Sequence, residues 1–274
     1  MKNVREEWYD KDAKVAVTIV DVTDAAQALA RGHLCGPTSA HFLTKALAAA
    51  ALLGSETESA DETVILQMKC KGPLGGFTVE CTPAGTLRGY TEKKVLDEFD
   101  GAGTPDPKKV VGERHIQITR SVPGRILSQG ISNSLDGYLT GSLQRKASIH
   151  LEAAVNDEVE ILEARGVMIE AMPDAPAESS HCLVSLDSGT PNPKQLKSSN
   201  TISASSRNIL EKIGLPHAEL RKTAPLSFAC RCSPDRAIAT LAALSDEEKS
   251  ALPPTVDVTC HMCGKTFSVR THGS

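Results

Sequence analysis

Aromatic residues are scarce in this chain, 3% of 274 positions, so it has few of the planar surfaces on which a nucleic-acid binder stacks bases. An excess of one charge is missing as well. The 34 acidic and 30 basic residues leave a formal net charge of −4, which points to neither a polyanion nor an anionic membrane as partner. Long apolar runs are also absent: the longest, Ala46 to Leu53, is far below membrane-spanning length. The Met1 to Glu7 segment has no apolar centre of signal-peptide type, so the expectation is a soluble, cytoplasmic protein with no nucleic-acid and no membrane partner. In such a reducing compartment disulfide frameworks are rare, and Cys35, Cys70, Cys81 and Cys182 read as scattered thiols without an assigned role. The stretch Gly72-Pro73-Leu74-Gly75-Gly76 lacks the Gly-Lys-Ser/Thr ending of a phosphate loop and no periodic helix follows it, so it reads as a turn.

What the chain does have is two close cysteine pairs near its C-terminus. They are Cys230-Arg231-Cys232 and Cys260-His261-Met262-Cys263, separated by the 27 residues 233–259. Zinc in a closed site takes four thiolates at about 2.3 Å, supplied by two short ligand pairs that an intervening segment brings together. Cys230, Cys232, Cys260 and Cys263 are therefore the expected ligands of one zinc per chain. Gly264, straight after the last cysteine, lets the backbone turn tightly around a metal. A Cys-x-Cys pair also keeps two thiols close enough to oxidise once a metal leaves, although in a small strained ring. The spacing thus suits either a purely structural zinc ribbon or a switch. His261 reads as a spacer, because four sulfurs already complete the site. Arg231 and Arg236 read either as cations that raise the thiolate character of the first pair or as plain solvated charges.

Upstream, Gly36 and Pro37 mark the entry of a helix that runs to Leu53, with Phe42, Leu43, Leu47, Ala50 and Ala51 at helical spacing and Gly54 as its stop. From Thr63 the pattern becomes a strand meander: Val64 to Cys70, Phe77 to Cys81 and Leu87 to Tyr90, divided by turns of glycine and proline. Further strands are expected at His115 to Thr119, Ile149 to Val155 and Val159 to Ala164. Asn156-Asp157 is the hairpin turn between the last two, and Leu135 to Leu143 a short helix before them. The fold class is α+β, with an N-terminal core of antiparallel sheet and helices over residues 1–173.

Serine and proline dominate from Asp174 to Ser206, the composition of a weakly stable segment. Ile209, Leu210 and Ile213 then repeat on one face of a short helix that Gly214 and Pro216 end. A helix of that length is marginal in water and holds only when docked, so residues 174–224 read as a helical, metastable linker. Residues 225–274 read as a small C-terminal zinc-binding domain. Ser233-Pro234 starts a helix with Ile238, Leu241 and Leu244 as its inner face, which puts the first cysteine pair just before a helix N-terminus whose dipole favours thiolates. Ser245 to Glu248 is a capping box, Val256 and Val258 alternate into the second pair, and Phe267 and Val269 continue a hairpin. Five Lys/Arg and five Asp/Glu follow Leu226, so four zinc-bound thiolates leave this domain near −2. Nucleic-acid ribbons are basic.

Phe228-Ala229-Cys230-Arg231-Cys232-Ser233-Pro234-Asp235-Arg236, with Val258-Thr259-Cys260-His261-Met262-Cys263-Gly264 after a helical interval, resembles the redox switch of the heat-shock protein 33 family. The likeness extends upstream in the family's order: Gly36-Pro37-Thr38-Ser39, Gln67 followed by Lys71 to Gly75, Arg88-Gly89-Tyr90, Tyr138 to Gln144, and Gly166 to Pro173. It covers most of the chain. Two residues depart from it: Glu170 stands where a glutamine is usual and Arg165 where a glycine is usual.

The resemblance implies an ATP-independent holdase chaperone and no enzymatic activity. It implies that zinc holds Cys230, Cys232, Cys260 and Cys263 under reducing conditions. Oxidation then joins Cys230 to Cys232 and Cys260 to Cys263, zinc leaves, the module and linker unfold, and apolar surface on the core is unmasked for unfolded client proteins. It also implies a homodimer on activation. Two rival classes compete with this expectation: a constitutive structural zinc protein or adaptor without switching, and a thiol-disulfide oxidoreductase using Cys260 and Cys263. The oxidoreductase setting places its Cys-x-x-Cys at the start of a helix, whereas Gly264 and the alternating stretch Thr266 to Val269 follow here.

Overall fold

A computed structural model describes residues 3–57, 59–183 and 205–271. The first strands are β1 (Val4–Asp10) and β2 (Val15–Asp21), followed by helices α1 (Thr23–Gly32) and α2 (Pro37–Leu53). A meander of β3 (Thr63–Cys70), β4 (Gly76–Cys81) and β5 (Thr86–Thr91) comes next. After the single turn α3 (Pro107–Val110) come β6 (Arg114–Val122) and β7 (Arg125–Ser132), then the turn α4 (Leu135–Gly137), continued by a π-helical turn over Tyr138–Ser142. The long hairpin β8 (Lys146–Val155) and β9 (Ile161–Ala171) closes the core region.

These strands form two sheets, β10-β1-β2-β9-β8 and β11-β5-β4-β3-β6-β7, where β10 is Glu219–Pro225 and β11 is Ser227–Phe228. All pairings are antiparallel except β11 with β5. Helix α2 lies between the sheets. It is buried on nearly every side, with Leu43, Leu47 and Leu52 at 0% exposure, because β-strand side chains cover it from both directions: Val20, Ala164 and Met168 from the first sheet, Leu66, Val79 and Leu87 from the second. A helix apolar all round needs that double cover.

The outer face of the first sheet carries a second cluster. Trp8, Val17, Ile19, Val167 and Ile169 project there, and helix α5 (Ser206–Lys212) covers them with Ile209, Leu210 and Ile213, each no more than 1% exposed. The short helix expected at these positions is therefore docked on the core. Residues 184–204, most of the serine-rich stretch, lie outside the described residues. The expected boundary between residues 224 and 225 falls inside β10, whose exposed Glu219, Arg221 and Lys222 suit an edge strand beside β1.

Several local features differ from expectation. The Val159 to Ala164 strand starts later, at Ile161. Asn156 closes a wider turn, its side-chain oxygen accepting from Glu160 N–H at 2.8 Å, with Val159 at φ +60° inside that turn. Strands β1, β2, β7 and β10 and helix α1 lie beyond the expected elements. β1 buries Arg5 and Glu6, both 2% exposed, so its polar sequence masks its position. The two departing residues are ion-paired on the first sheet: Glu170 binds Arg145 at 2.7 Å, and Arg165 binds Asp21 at 3.2 Å.

Candidate metal centre

The C-terminal domain consists of helices α6 (Pro234–Ala242) and α7 (Asp246–Ser250) and a hairpin of β12 (Thr255–Thr259) with β13 (Thr266–Arg270). Ser233 Oγ accepts from Arg236 N–H at 3.2 Å and caps α6. The capping box of α7 is complete, with both Ser245 and Glu248 exchanging backbone and side-chain bonds. One expectation is corrected here: Ile238 is 51% exposed, and the buried residue of α6 is instead Ala237, with Leu241 half-buried one turn on and Leu244 half-buried just past the helix. The three keep the i, i+4, i+7 spacing of one helical face.

Cys230 and Cys232 lie on the extended segment that leaves β11, Cys260 and Cys263 on the turn between β12 and β13. That turn folds back through Cys260 N–H to Lys265 C=O at 2.8 Å and Gly264 N–H to Cys260 C=O at 2.9 Å. Gly264 sits at φ +75°, and a Cβ there would lie 2.0 Å from Gly32 C=O at the end of α1. Glycine is therefore required both by the turn and by the close approach of the core.

All four sulfurs lie within 4.8 Å of one another, and among the described residues they are the one such group of three or more His, Cys, Asp or Glu ligand atoms. Cys230 to Cys260 is 3.7 Å and Cys232 to Cys263 is 3.5 Å. A tetrahedron with metal–sulfur bonds of about 2.3 Å has edges of about 3.8 Å, so the donor set and its spacing fit zinc. Cys263 is buried and the other three half-buried, as in a closed site with one edge toward solvent.

Electrostatics distinguish the thiols. Burial pushes Cys230 up, but the Cys232 backbone N–H and the Arg88 guanidinium outweigh it and bring the thiol down to about 7. Burial pushes Cys232 and Cys263 up. A core arginine and the neighbouring thiols therefore join the backbone donor in favouring the Cys230 thiolate. Arg231 turns instead to Glu80, at 3.3 Å. Arg236 lines a cavity of about 290 Å³ beside Cys232 and Cys260. The remaining cysteines stay apart: Cys35, Cys81 and Cys182 are buried and Cys70 half-buried, and burial raises Cys81 to about 11.

The centre is seated on the core through β5. Arg88 Nη1 donates to Cys230 Sγ at 3.8 Å, Gly89 N–H donates to Met262 C=O at 3.0 Å, and the rings of Tyr90 and His261 meet at a 38° tilt with centroids 4.0 Å apart. His261 is accordingly a contact to the core and more than a spacer. The contributions of Glu80, Arg88 and Tyr90 escape a local reading of the cysteines. The run Arg88-Gly89-Tyr90 is their one trace in the sequence.

A protein-family model described as Hsp33 protein matches residues 7–270. The 33 kDa chaperonin of Lacticaseibacillus paracasei is 28% identical over 275 residues, covering 94% of this chain and 92% of that protein. A 33 kDa chaperonin of Thermus thermophilus is 26% identical over 270 residues, covering 92% of this chain and 79% of that protein. The crystal structure of the 33 kDa chaperonin (heat shock protein 33 homolog) of Thermotoga maritima superposes with a TM-score of 0.86 at 17% identity, over 99% of this chain and 96% of the other. Having this fold, these four clustered sulfurs and a family match along nearly its whole length, the chain belongs to the Hsp33 family.

Proposed function

We propose that this protein is an ATP-independent, redox-regulated holdase: one zinc per chain keeps it inactive and thiol oxidation activates it. The observation that carries the reading is the four-sulfur cluster placed against the core of an Hsp33-family chain. Cys230, Cys232, Cys260 and Cys263 are the ligands. Bound zinc would hold four thiolates deprotonated and cross-link two loops that share little apolar core, a folding contribution on the order of 10 to 16 kcal/mol.

Oxidation acts on the sulfurs. Each thiolate pair gives up two electrons and forms one S–S bond, Cys230 with Cys232 and Cys260 with Cys263. A peroxide that takes the two electrons and two protons leaves as two waters. The module, residues 225–274, loses its cross-link and unfolds. Linker residues 174–224 follow, because α5 is too short to persist alone. Undocking α5 bares Trp8, Val17, Ile19, Val167 and Ile169, an apolar face of the kind that binds unfolded clients. Core residues 1–173 stay folded, and the activated form is a homodimer in the cytoplasm.

Metal analysis together with client aggregation assays tests this reading. Reduced protein should carry one zinc and leave a heat-unfolded client to aggregate, whereas peroxide-treated protein should have lost zinc and hold the client in solution. Cys230→Ser and Cys260→Ser should each lower zinc content, since an oxygen replaces a soft ligand. Full zinc retention in both variants would refute the ligand assignment. Zinc loss without client protection would favour a constitutive scaffold.

A further inference from the structure

Arg88 is the charged member of the contact between β5 and the metal centre. Its guanidinium is 15% exposed and is gripped from the far side by Glu80, its cross-strand partner on β4, at 2.6 Å. Arg231, next to Cys230, reaches the same carboxylate oxygen at 3.3 Å. Two guanidiniums against one carboxylate leave a positive excess beside the sulfurs; Arg231 meets solvent at 57% exposure, so the largely buried Arg88 is the cation for which a matching anion counts. Four thiolates around a divalent cation carry a net −2, and two disulfides carry none. The arrangement is complementary to the first state only.

We propose that Arg88, positioned by Glu80, is an electrostatic latch that holds the C-terminal module on the core sheet while the sulfurs are metal-bound thiolates and releases it when they become disulfides. The inference rests on the zinc reading above. In the loaded state Arg88 donates a charge-assisted bond to Cys230 Sγ, and the neighbouring Gly89 and Tyr90 contacts are made because all three residues leave one strand. A peroxide that removes two electrons from each thiolate pair, forming an S–S bond and leaving as water, removes the anion that Arg88 faces. Arg88 keeps Glu80 in both states, so the β4–β5 pairing persists while the module leaves it.

The test uses the full chain as wild type, Arg88→Gln, Arg88→Lys and the double variant Glu80→Gln/Arg88→Gln, which avoids stranding a buried carboxylate. Two quantities are read: exchange of the Gly89 amide, which bonds to Met262, and transfer of zinc to a chromophoric chelator. A charge-assisted hydrogen bond corresponds to about a tenfold effect. In the reduced, zinc-loaded state Arg88→Gln and the double variant should show about tenfold faster exchange and transfer, with Arg88→Lys intermediate. After peroxide treatment all four proteins should exchange alike. Wild-type exchange in a loaded, normally folded double variant overturns the proposal. So does a variant effect of the same size before and after oxidation, which would make Arg88 only a strut between β4 and β5. Wild type that carries no zinc in reductant overturns the metal reading itself, and it does so before any variant is made.

Discussion

The core and the C-terminal module are built on opposite principles. In the core, α2 has apolar strands on both sides and nearly all its side chains are buried. The module has a two-stranded hairpin and two short helices, and its buried apolar positions from residue 230 on are Ala237, Cys263 and Val269. The first can rely on area removed from water, about 25 cal/mol per Å². The second has too little area, so its fold depends on whatever joins its four sulfurs. The linker helix stands between the two: its own three apolar residues are buried in a cluster that the core strands supply with Trp8, Val17, Ile19, Val167 and Ile169. Stability graded in this way would let one chemical event at the sulfurs unfold part of the chain and leave the remainder intact.

Removing the metal breaks the comparison most severely. A strong chelator in reductant should abolish amide protection in β12 and β13 and leave α2 protected, since on the order of 10 kcal/mol is withdrawn from the module alone. Protection that survives in the hairpin would show a self-sufficient module. The double variant Ile209→Ser/Ile213→Ser removes roughly 2 kcal/mol or more per buried side chain and should undock α5 while zinc remains bound. Its reduced form should suppress client aggregation without oxidant; inactivity, with proteolysis near α5 no faster than in wild type, would show that this helix masks nothing. Leu47→Ala, at a fully buried position of α2, should lower core stability by about 3 kcal/mol in denaturant titration and leave zinc stoichiometry unchanged. Least affected is Ser233→Ala. Loss of the α6 cap costs about 1 kcal/mol, read as roughly fivefold weaker zinc retention against a chelator, with the core transition unmoved.

Much of this architecture is legible without coordinates. Pro37–Leu53 is read to the residue, because Gly36, Pro37 and Gly54 punctuate an unbroken helical pattern. The meander β3 to β5 follows from alternation and glycine turns, each within a residue or so of its ends. β1 is harder, since Arg5 and Glu6 are buried with partners on the strand and remote from it: Arg5 pairs with Glu7 and donates to Ala51 C=O, and Glu6 accepts from Trp8 Nε1. Burial of a charge depends on its partner, and no periodicity rule carries that information. The misplaced face of α6 has a similar origin, for the helix follows Ala237 inward rather than the larger Ile238.

By itself the sequence determined the donor chemistry: four thiols in two short pairs, a glycine for the turn after Cys263, and a capped helix between them. Ligand type and short spacing are local covalent facts. Only the tertiary structure decided which charges meet those sulfurs. Register in β4 and β5 sets Arg88 opposite Glu80, and the parallel pairing of Phe228 with Leu87 delivers Cys230, two residues further on, to the same place. Arg88 and Cys230 are 142 positions apart in the chain and 3.8 Å apart in space. Electrostatic contact depends on distance in space, so the residue that bears on the Cys230 thiolate is found only when the sheets are assembled.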